Sequence, residues 1–501
     1  MNTEITRRDW LKWSALTLLP ASFAEGGGRG EGYAYHLAEV TAPPATLPSD
    51  GYVPFDWAVS EIRGDGEGVK LTWKGPISHP SAPVRFRLTS ATDVREVCIL
   101  EVKTARSGKG LGTLDMRFAM YLQPFELVIP AAELPTVWAG GIVLTLTQGT
   151  KPFWFFANAN TAQTAPPAYL PHLLTPEGAA SPEAWQQRLL SRESVQTFGW
   201  MEGCVLDGLL EMSARQPRAK AVLRTHLNLF FDQNTLIYAD LNNRKAVGKI
   251  NGVESLLPFA ILAQTDMAHP MLQTAVRFCR EHANAAGVVA DGTGTNRPIK
   301  TEECYTVSYP LAVLAKTLQR PDLAELALNT LQARVTRLDR DGSIFQLTRE
   351  EGNPGFENWS RGVVWYLLGT LKTLAYLPES AQTSSLKAVV VRAVERVISL
   401  QQPNGLWYCF QHRPETGLET SGTAGIAAAL AYGAARGLLP GSARVAARKA
   451  RRGLAPYLTP DGYLTGTAQG NKGGLTLQTD GFRAISPYTL GFLAHLETYL
   501  P

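Results

Sequence analysis

The sequence predicts a multidomain protein, in which an N-terminal antiparallel β-sandwich is followed by an all-α (α/α)6 barrel. Three observations support this fold class. Residues 45–160 alternate apolar and polar side chains, residues 183–501 repeat apolar side chains at helical spacing, and a stretch rich in Pro, Ala and Thr separates the two. A period of two is typical of strands with one buried face, and a period near 3.6 is typical of helices.

The strand pattern is clearest in short runs at 69–73, 84–88 and 142–147, with Pro and Gly clusters between the runs. Several short strands separated by turn residues are typical of an antiparallel sandwich. We therefore predict a sandwich over residues 45–160, and a linker over residues 161–182 that leads into the helical domain, 183–501.

The helical region reads as pairs of helices joined by short loops. Some helices are apolar all round and others are amphipathic, which predicts buried inner helices and outer partners. Six such pairs predict a closed (α/α)6 toroid; an open solenoid is the alternative, but there is no strict sequence repeat. The twelve predicted helices lie near 183–195, 200–215, 218–231, 252–265, 268–285, 303–318, 321–337, 360–376, 383–401, 421–436, 441–456 and 484–499.

Charge and cysteine content exclude two classes of protein. The 501 residues include 48 Lys and Arg against 44 Asp and Glu, a net charge of +4. This is too weak a balance for a nucleic-acid-binding protein. The five cysteines are scattered and odd in number, which indicates buried free thiols rather than a disulfide framework or a metal site.

The first 24 residues resemble a twin-arginine export signal. Arg7 and Arg8 precede an apolar run at 13–23, and small residues lie at Ser22 and Ala24. The run is shorter than the roughly 20 residues of a spanning helix, so no stable membrane span is expected after signal removal. We predict a periplasmic or secreted protein with a flexible leader at 25–44. The alternatives are a basic amphipathic helix or a retained anchor.

Candidate acids lie where predicted inner helices begin. Glu302 and Glu303 open one helix, where the helix dipole favours acidic residues. Because the two side chains point in different directions, one of them can face a pocket. Burial there raises a carboxyl pKa and suits the group to general acid catalysis. Glu254 is either a third acid in the pocket or part of a capping box with Asn251.

Aromatic and polar side chains cluster in the same loops. A tryptophan can stack on a sugar ring or pack in the core. The planar fork of Arg361 suits a carboxylate ligand, although pairing with Glu357 is an alternative. For Trp407 and Glu419, the alternatives to a binding role are packing and a solvated charge. The candidate binding residues are Trp200, Trp359, Arg361, Trp365, Trp407, Glu419 and Gln346.

Two motifs carry a family resemblance. Trp-Ser-Arg-Gly-x-x-Trp at 359–365 is followed by Glu-Thr-Ser-Gly-Thr-Ala at 419–424, with Gly-Leu-Trp at 405–407 between them. Together they resemble the unsaturated glucuronyl and unsaturated rhamnogalacturonyl hydrolases, glycoside hydrolase families 88 and 105. The resemblance covers residues 183–500 and leaves the β region as an accessory domain.

The resemblance implies a barrel without a metal or other cofactor, and an acidic oligosaccharide as substrate. It implies removal of a terminal 4,5-unsaturated uronic acid from oligosaccharides made by polysaccharide lyases. In these families an Asp protonates C4 of the vinyl ether and helps to add water at C5, after which the hemiketal opens and the sugar is released.

The resemblance also suggests roles for particular residues. The family's acid/base Asp lies in a pattern like Asp-x-x-Tyr/Phe-Met-x-x-Pro-Phe, and the match at 303–310 puts Glu303 in that role, with Glu302 as its competitor. The second family Asp falls near 249–254, where Glu254 substitutes or the role is lost. Gln346 stands in place of a loop His. Arg361 would bind the uronate carboxylate or a nearby hydroxyl, and the tryptophans would stack on sugars.

Two other functions remain open from the sequence. One is an α/α-toroid polysaccharide lyase, for which Tyr408 and His412 are available as bases. The other is a non-catalytic glycan-binding relative, which the missing pair of Asp residues would explain. The hydrolase prediction requires Glu303 to meet Arg361 and at least one tryptophan in one pocket.

Overall fold

The computed structural model describes residues 29–30, 32–42, 45, 51–64, 66, 68–75, 83–158, 165–177, 181–240, 242–349 and 351–500. The export signal predicted over residues 1–24 lies outside this part of the chain. All five cysteines are buried free thiols, as predicted.

The N-terminal region consists of antiparallel sheets. One five-stranded sheet has the order β1-β2-β12-β6-β9, a second has the order β3-β5-β10-β7-β8, and β4 pairs with β11. The strands are β1 Arg29–Gly30, β2 Tyr33–Leu37, β3 Glu39–Thr41, β4 Val59–Ile62, β5 Val69–Thr72, β6 Val84–Thr89, β7 Ile99–Thr104, β8 Gly110–Asp115, β9 Pro124–Ile129, β10 Ile142–Gln148, β11 Phe153–Phe156 and β12 His172–Pro176.

The two five-stranded sheets share one apolar core. Phe86 and Leu88 of β6 are buried in the same cluster as Leu100 and Val102 of β7 and Leu144 of β10. These residues occupy alternate positions along their strands, so the two-residue period in the sequence reports one buried face of each sheet. A short helix, α1 (Leu134–Gly140), connects β9 to β10.

Two segments predicted as leader and linker contain strands. β2 and β3 lie within 25–44, and β12 lies within 161–182, where it pairs with both β2 and β6. The prolines on either side of β12 gave this stretch the composition of a loop. Its residues 172–174 are nevertheless buried, because they complete the middle of a sheet.

The region from 184 to 500 is largely helical. Six helices form a ring in the described part of the chain, each packing against the next and the last against the first. These inner helices are α3 Trp200–Ser213, α5 Leu257–Thr265, α7 Tyr309–Thr317, α9 Ser360–Tyr376, α11 Thr420–Ala435 and α14 Thr489–Tyr499.

The helices between them in sequence pack outside the ring, and a short helix, α13 (Gly474–Thr479), precedes α14. The outer helices are α2 Ala184–Leu189, α4 Pro217–Phe230, α6 Met271–Glu281, α8 Pro321–Leu338, α10 Ala381–Ser399 and α12 Gly441–Leu454. Each of the twelve ranges predicted from the sequence overlaps one helix of these two sets.

Strand-containing connections that the sequence analysis did not predict lead from the outer helices to the inner ones. Since an outer helix returns the chain each time, the inner helices run in one direction and these strands lie at one end of the ring, here called the rim. They are β13 Phe231–Asp232, β14 Thr235–Ala239, β15 Lys245–Val247, β16 Pro298–Lys300, β17 Asp339–Arg340, β18 Ser343–Arg349, β19 Gly355–Glu357, β20 Trp407–Phe410, β21 Arg413–Glu419, β22 Thr467–Ala468 and β23 Arg483–Ala484.

A buried cluster of charged residues joins the β region to the helices. Asp461, in the loop after α12, accepts hydrogen bonds from Arg87 Nη1 at 2.6 Å, Tyr35 Oη at 2.7 Å and Arg188 Nη2 at 3.3 Å. Burial raises the pKa of Asp461, but the two arginines outweigh it and hold the pKa well below its usual range. The cluster therefore forms a buried, charged contact that joins the two regions.

We expect Asp461→Asn to lower the free energy of unfolding by up to about 3 kcal/mol at pH 7, because it removes the buried anion that Arg87 and Arg188 share and leaves each arginine with only a more exposed glutamate, Glu126 or Glu193. Since the pKa of Asp461 is depressed in the folded state, this contribution is present above pH ~4 and is lost as the pH falls. Urea unfolding at pH 7 and pH 3 measures both effects.

The matched control is Asp480→Asn. Asp480 also reaches the β region, through Arg117 at 3.1 Å, but both side chains are 30% exposed. Such a pair contributes at most about 1 kcal/mol. Equal losses of unfolding free energy in the two variants would contradict a stabilising role for the buried cluster around Asp461.

Candidate functional site

Glu303 is part of a buried ion pair between an inner and an outer helix. Its side chain is 1% exposed, and Oε2 accepts hydrogen bonds from Arg334 Nη2 at 2.6 Å and Nε at 3.2 Å. The backbone N–H groups of Lys300 and Asp291 donate to the same carboxylate at 2.9 and 3.3 Å. Arg334 lies on α8 and is fully buried. Four donors therefore hold the carboxylate that the sequence predicts to be the acid/base, three of them on Oε2.

Glu302 points away from this pair and is partly exposed. Its Oε1 accepts a hydrogen bond from Gln346 Nε2 at 2.6 Å, and Oε2 accepts one from Thr301 Oγ1 at 3.3 Å. Burial raises the pKa of Glu302 to about 7, against the opposing effects of hydrogen bonds and of Lys300. Both the acid and its conjugate base are populated near neutrality, as acid–base catalysis requires.

A π-helical turn at Cys304–Ser308 lies between the two glutamates and Pro310. Such a turn holds one residue more than an α-helical turn. It therefore changes the directions in which Glu302 and Glu303 point, relative to an uninterrupted α helix.

Glu254 lies beside Glu302 at the start of the neighbouring inner helix. Burial raises its pKa, and the charges of Lys300 and Lys472 oppose the rise. Lys300 also acts on Glu302, and its Nζ lies 3.6 Å from Asp291. The predicted capping box is absent, since no side chain caps the turn that begins after Gly252. The rim therefore brings together two carboxyl groups with raised pKa values and a lysine that the sequence analysis did not select.

Arg361 is buried and engaged by the protein itself. Nη1 donates to Ala468 O at 2.6 Å and to the hydroxyls of Tyr488 and Ser421 at 3.2 and 3.3 Å. Nη2 donates to Gln469 O at 2.5 Å, and the guanidinium lies over the Trp359 ring. The predicted carboxylate binder thus holds the loop at 468–469, and the alternative partner, Glu357, is exposed.

Three of the four selected tryptophans are buried. Trp407 Nε1 donates to Val397 O at 2.8 Å, Trp359 Nε1 donates to Gln478 Oε1 at 3.1 Å, and the Trp365 ring stacks on Tyr305. Trp200 is partly exposed, and its ring centroid lies 5.4 Å from that of Trp365 and 4.8 Å from that of Tyr488. Of the four, Trp200 is therefore the one with surface to offer a sugar ring.

Glu419 and Gln346 support the rim in different ways. Glu419 is buried and caps α11 by accepting from the N–H groups of Ser421 and Gly422 at 2.8 and 2.5 Å. A solvated charge is therefore the wrong description of Glu419. Gln346 packs close to Gly362, where an added Cβ would lie 3.0 Å from the glutamine Cβ. The glycine of the first motif thus gives Gln346 room to reach Glu302.

A second charged network, inside the ring, was missed by the sequence analysis. Asp207 on α3 pairs with Lys372 on α9 at 2.7 Å and accepts hydrogen bonds from Tyr305 and Tyr309 at 2.5 and 3.1 Å. Asp207 and Lys372 are fully buried. The available signal was a charged residue among apolar neighbours in each of two largely apolar helices, which indicates a buried partner.

Of the residues considered for a lyase, His412 is exposed and Tyr408 is partly exposed. The described residues contain no cluster of His, Cys, Asp and Glu suited to a metal ion. Within the same residues, no helix is long and apolar enough to cross a bilayer.

The helical region matches a known protein family. Residues 180–491 match the sequence model of Glycosyl Hydrolase Family 88, more than half of the chain. No curated protein sequence gives a significant match.

Three solved structures show the fold. Two are described as possible members of the GH105 family. The structure from Salmonella enterica serovar Paratyphi A has 20% sequence identity and a TM-score of 0.55, and the match covers 65% of this chain and 96% of that one. The structure from Klebsiella pneumoniae has 20% identity and a TM-score of 0.54, and the match covers 68% of this chain and 99% of that one. The third is described as a polysaccharide lyase; it has 16% identity and a TM-score of 0.50, and the match covers 64% of this chain and 94% of that one.

The raised pKa of Glu302 has a consequence for stability that needs no substrate. A carboxyl whose pKa is higher in the folded state stabilises the fold below its unfolded pKa, and this contribution is lost as the pH rises through about 7. Glu302→Gln removes the dependence. We therefore expect the variant to gain up to about 3 kcal/mol over the parent between pH 4 and pH 8.5.

Glu303→Gln is the matched control in the same unfolding titration. It should lose about 3–5 kcal/mol at neutral pH, because Arg334 keeps its buried charge without a partner. If the stability difference between Glu302→Gln and the parent stays constant from pH 4 to pH 8.5, the shifted pKa is refuted.

Proposed function

The chain belongs to glycoside hydrolase family 88, and we propose that this glycoside hydrolase removes a terminal 4,5-unsaturated uronic acid from acidic oligosaccharides that polysaccharide lyases produce. The observation that carries the proposal is the carboxyl group of Glu302, which lies at the rim with a pKa of about 7. Protonating a vinyl ether at neutral pH requires such an acid.

Glu302 acts in both halves of the proposed reaction. Its protonated form gives a proton to C4 of the double bond, and its carboxylate then takes a proton from the water that adds at C5. The product at C5 is a hemiketal, which opens and leaves a hemiacetal at C1 that releases the rest of the oligosaccharide. Because the anomeric carbon is not attacked directly, the distance between two carboxyl groups does not determine the stereochemistry.

The neighbours of Glu302 have supporting roles in this proposal. Gln346 holds one carboxyl oxygen of Glu302 and fixes its direction. Glu254 takes the place of the second acid, and its negative charge helps to keep the pKa of Glu302 high. Trp200 offers its exposed face to the sugar. Glu303 and Arg361 hold the rim in shape rather than touching the substrate.

We further propose the finer architecture and the location. The closed ring of six inner helices supports an (α/α)6 barrel, and the two sheets with a shared core support a sandwich as the accessory domain. The paired arginines and apolar run within residues 1–24 support export to the periplasm or beyond.

The reaction can be followed by the ultraviolet absorbance of the C4=C5 bond. Incubation with lyase-generated oligosaccharides from pectin, glycosaminoglycan and ulvan-type polymers should lower the absorbance with one of them. Glu302→Gln should reduce the rate by about 10²–10⁴ with binding retained. A rise in absorbance with an intact polymer would instead identify a lyase, and an unchanged signal across the panel would favour a glycan-binding protein.

The pH dependence should follow the acid. Since Glu302 must be protonated in the free enzyme, kcat/KM should fall as the pH rises through about 7. Lys300 lowers the pKa of Glu302, so Lys300→Met should move the alkaline limb to higher pH. A limb that moves to lower pH, or stays in place, would contradict the assignment of that limb to Glu302.

A further inference from the structure

The loop at 468–473, here called the clamp loop, is held from two sides. On the helical side, Arg361 binds the carbonyl oxygens of Ala468 and Gln469. On the other side, the Gln469 side chain pairs with the buried Gln123 of the β region, with N–O distances of 3.1 and 3.2 Å. The N-terminal region is therefore in direct contact with the loop that Arg361 fixes.

A second contact between the regions involves a charge. Lys472, in the clamp loop, forms an ion pair with Asp93 of the β region. The Asp93 side chain is 1% exposed and also accepts from Arg95 Nη2 at 2.7 Å. Asn243 of the rim binds the same segment, accepting from Asp93 N and donating to Thr92 Oγ1, both at 2.9 Å. Asp93 is thus fixed by groups from both regions.

Lys472 is close to the candidate site. Tyr488, which binds Arg361 beneath the clamp loop, also contacts the Trp200 ring. The positive charge of Lys472 acts on Glu254, and the negative charge of Glu254 acts on Lys472 in return. The Lys472 side chain is 17% exposed, so it is largely withdrawn from water without being fully buried.

The acidic group of the substrate needs a cation at this site. The terminal nitrogens of Arg361 are engaged by backbone and hydroxyl oxygens. Lys300 faces Glu254, Glu303, Glu302 and Asp291. Lys472 has three N–H donors, and Asp93 fixes the direction of a flexible side chain that would otherwise lose rotamer entropy on binding a ligand.

We propose that Lys472 binds the uronyl carboxylate of the substrate and that Asp93, from the N-terminal β region, is its positioning residue. The β region thereby forms part of the active site. This inference rests on the proposed function for the identity of the ligand and adds a residue and a domain to it.

Isothermal titration calorimetry tests the inference in a Glu302→Gln background, which retains binding without turnover. The probes are the unsaturated galacturonyl disaccharide from pectate and its methyl ester, which lacks the uronyl charge. Adding Lys472→Met should weaken binding of the acid by about tenfold or more and leave the ester within about twofold. Asp93→Asn should weaken the acid selectively but less, and Lys472→Arg should restore most of the affinity.

The control is Glu133→Gln, which removes the ion pair with Lys109 elsewhere in the β region and should change neither affinity. Equal weakening of acid and ester by Lys472→Met would show a structural lysine and overturn the inference. So would unchanged binding of the acid. If the parent binds neither probe and the wild type turns over no oligosaccharide of the panel, the proposed function fails together with the inference.

Discussion

The buried ion pair between Glu303 and Arg334 is the constraint on which the site depends. It joins the start of an inner helix to an outer helix and fixes the rotation of the helix about its axis. With Glu303 turned outward, the carboxyl of the preceding residue, Glu302, lies at the rim, where burial raises its pKa. The two adjacent glutamates therefore have different environments. Glu303 pairs with a buried arginine, whereas Glu302 accepts hydrogen bonds from the neutral side chains of Gln346 and Thr301.

Much of the fold follows from periodicity, since each of the twelve predicted helical ranges overlaps a helix. The rim strands were not predicted because most of them are too short for an alternating pattern to be distinguished. β12 was hidden by flanking prolines, and it is a strand because it pairs with β2 and β6, which a local pattern does not report.

Several residues selected from the motifs make contacts that residue type does not reveal. Arg361, Trp359, Trp407 and Glu419 lie in the loops at the rim, and their polar groups bind other parts of the protein. Residue type alone does not separate a donor that binds substrate from one that binds a carbonyl oxygen. A π-helical turn follows Glu302 and Glu303, and such a turn has no sequence signature of its own.

The position of β12 constrains when the first sheet can form during synthesis. This strand lies between β2 and β6 in the first sheet, although it is the last strand of that region to be synthesised. On the ribosome, β2 and β6 lack the strand that pairs between them until residue 176 has emerged, so their backbone hydrogen-bonding edges stay unpaired. A chaperone that covers those edges would act during this interval, before the helical ring exists.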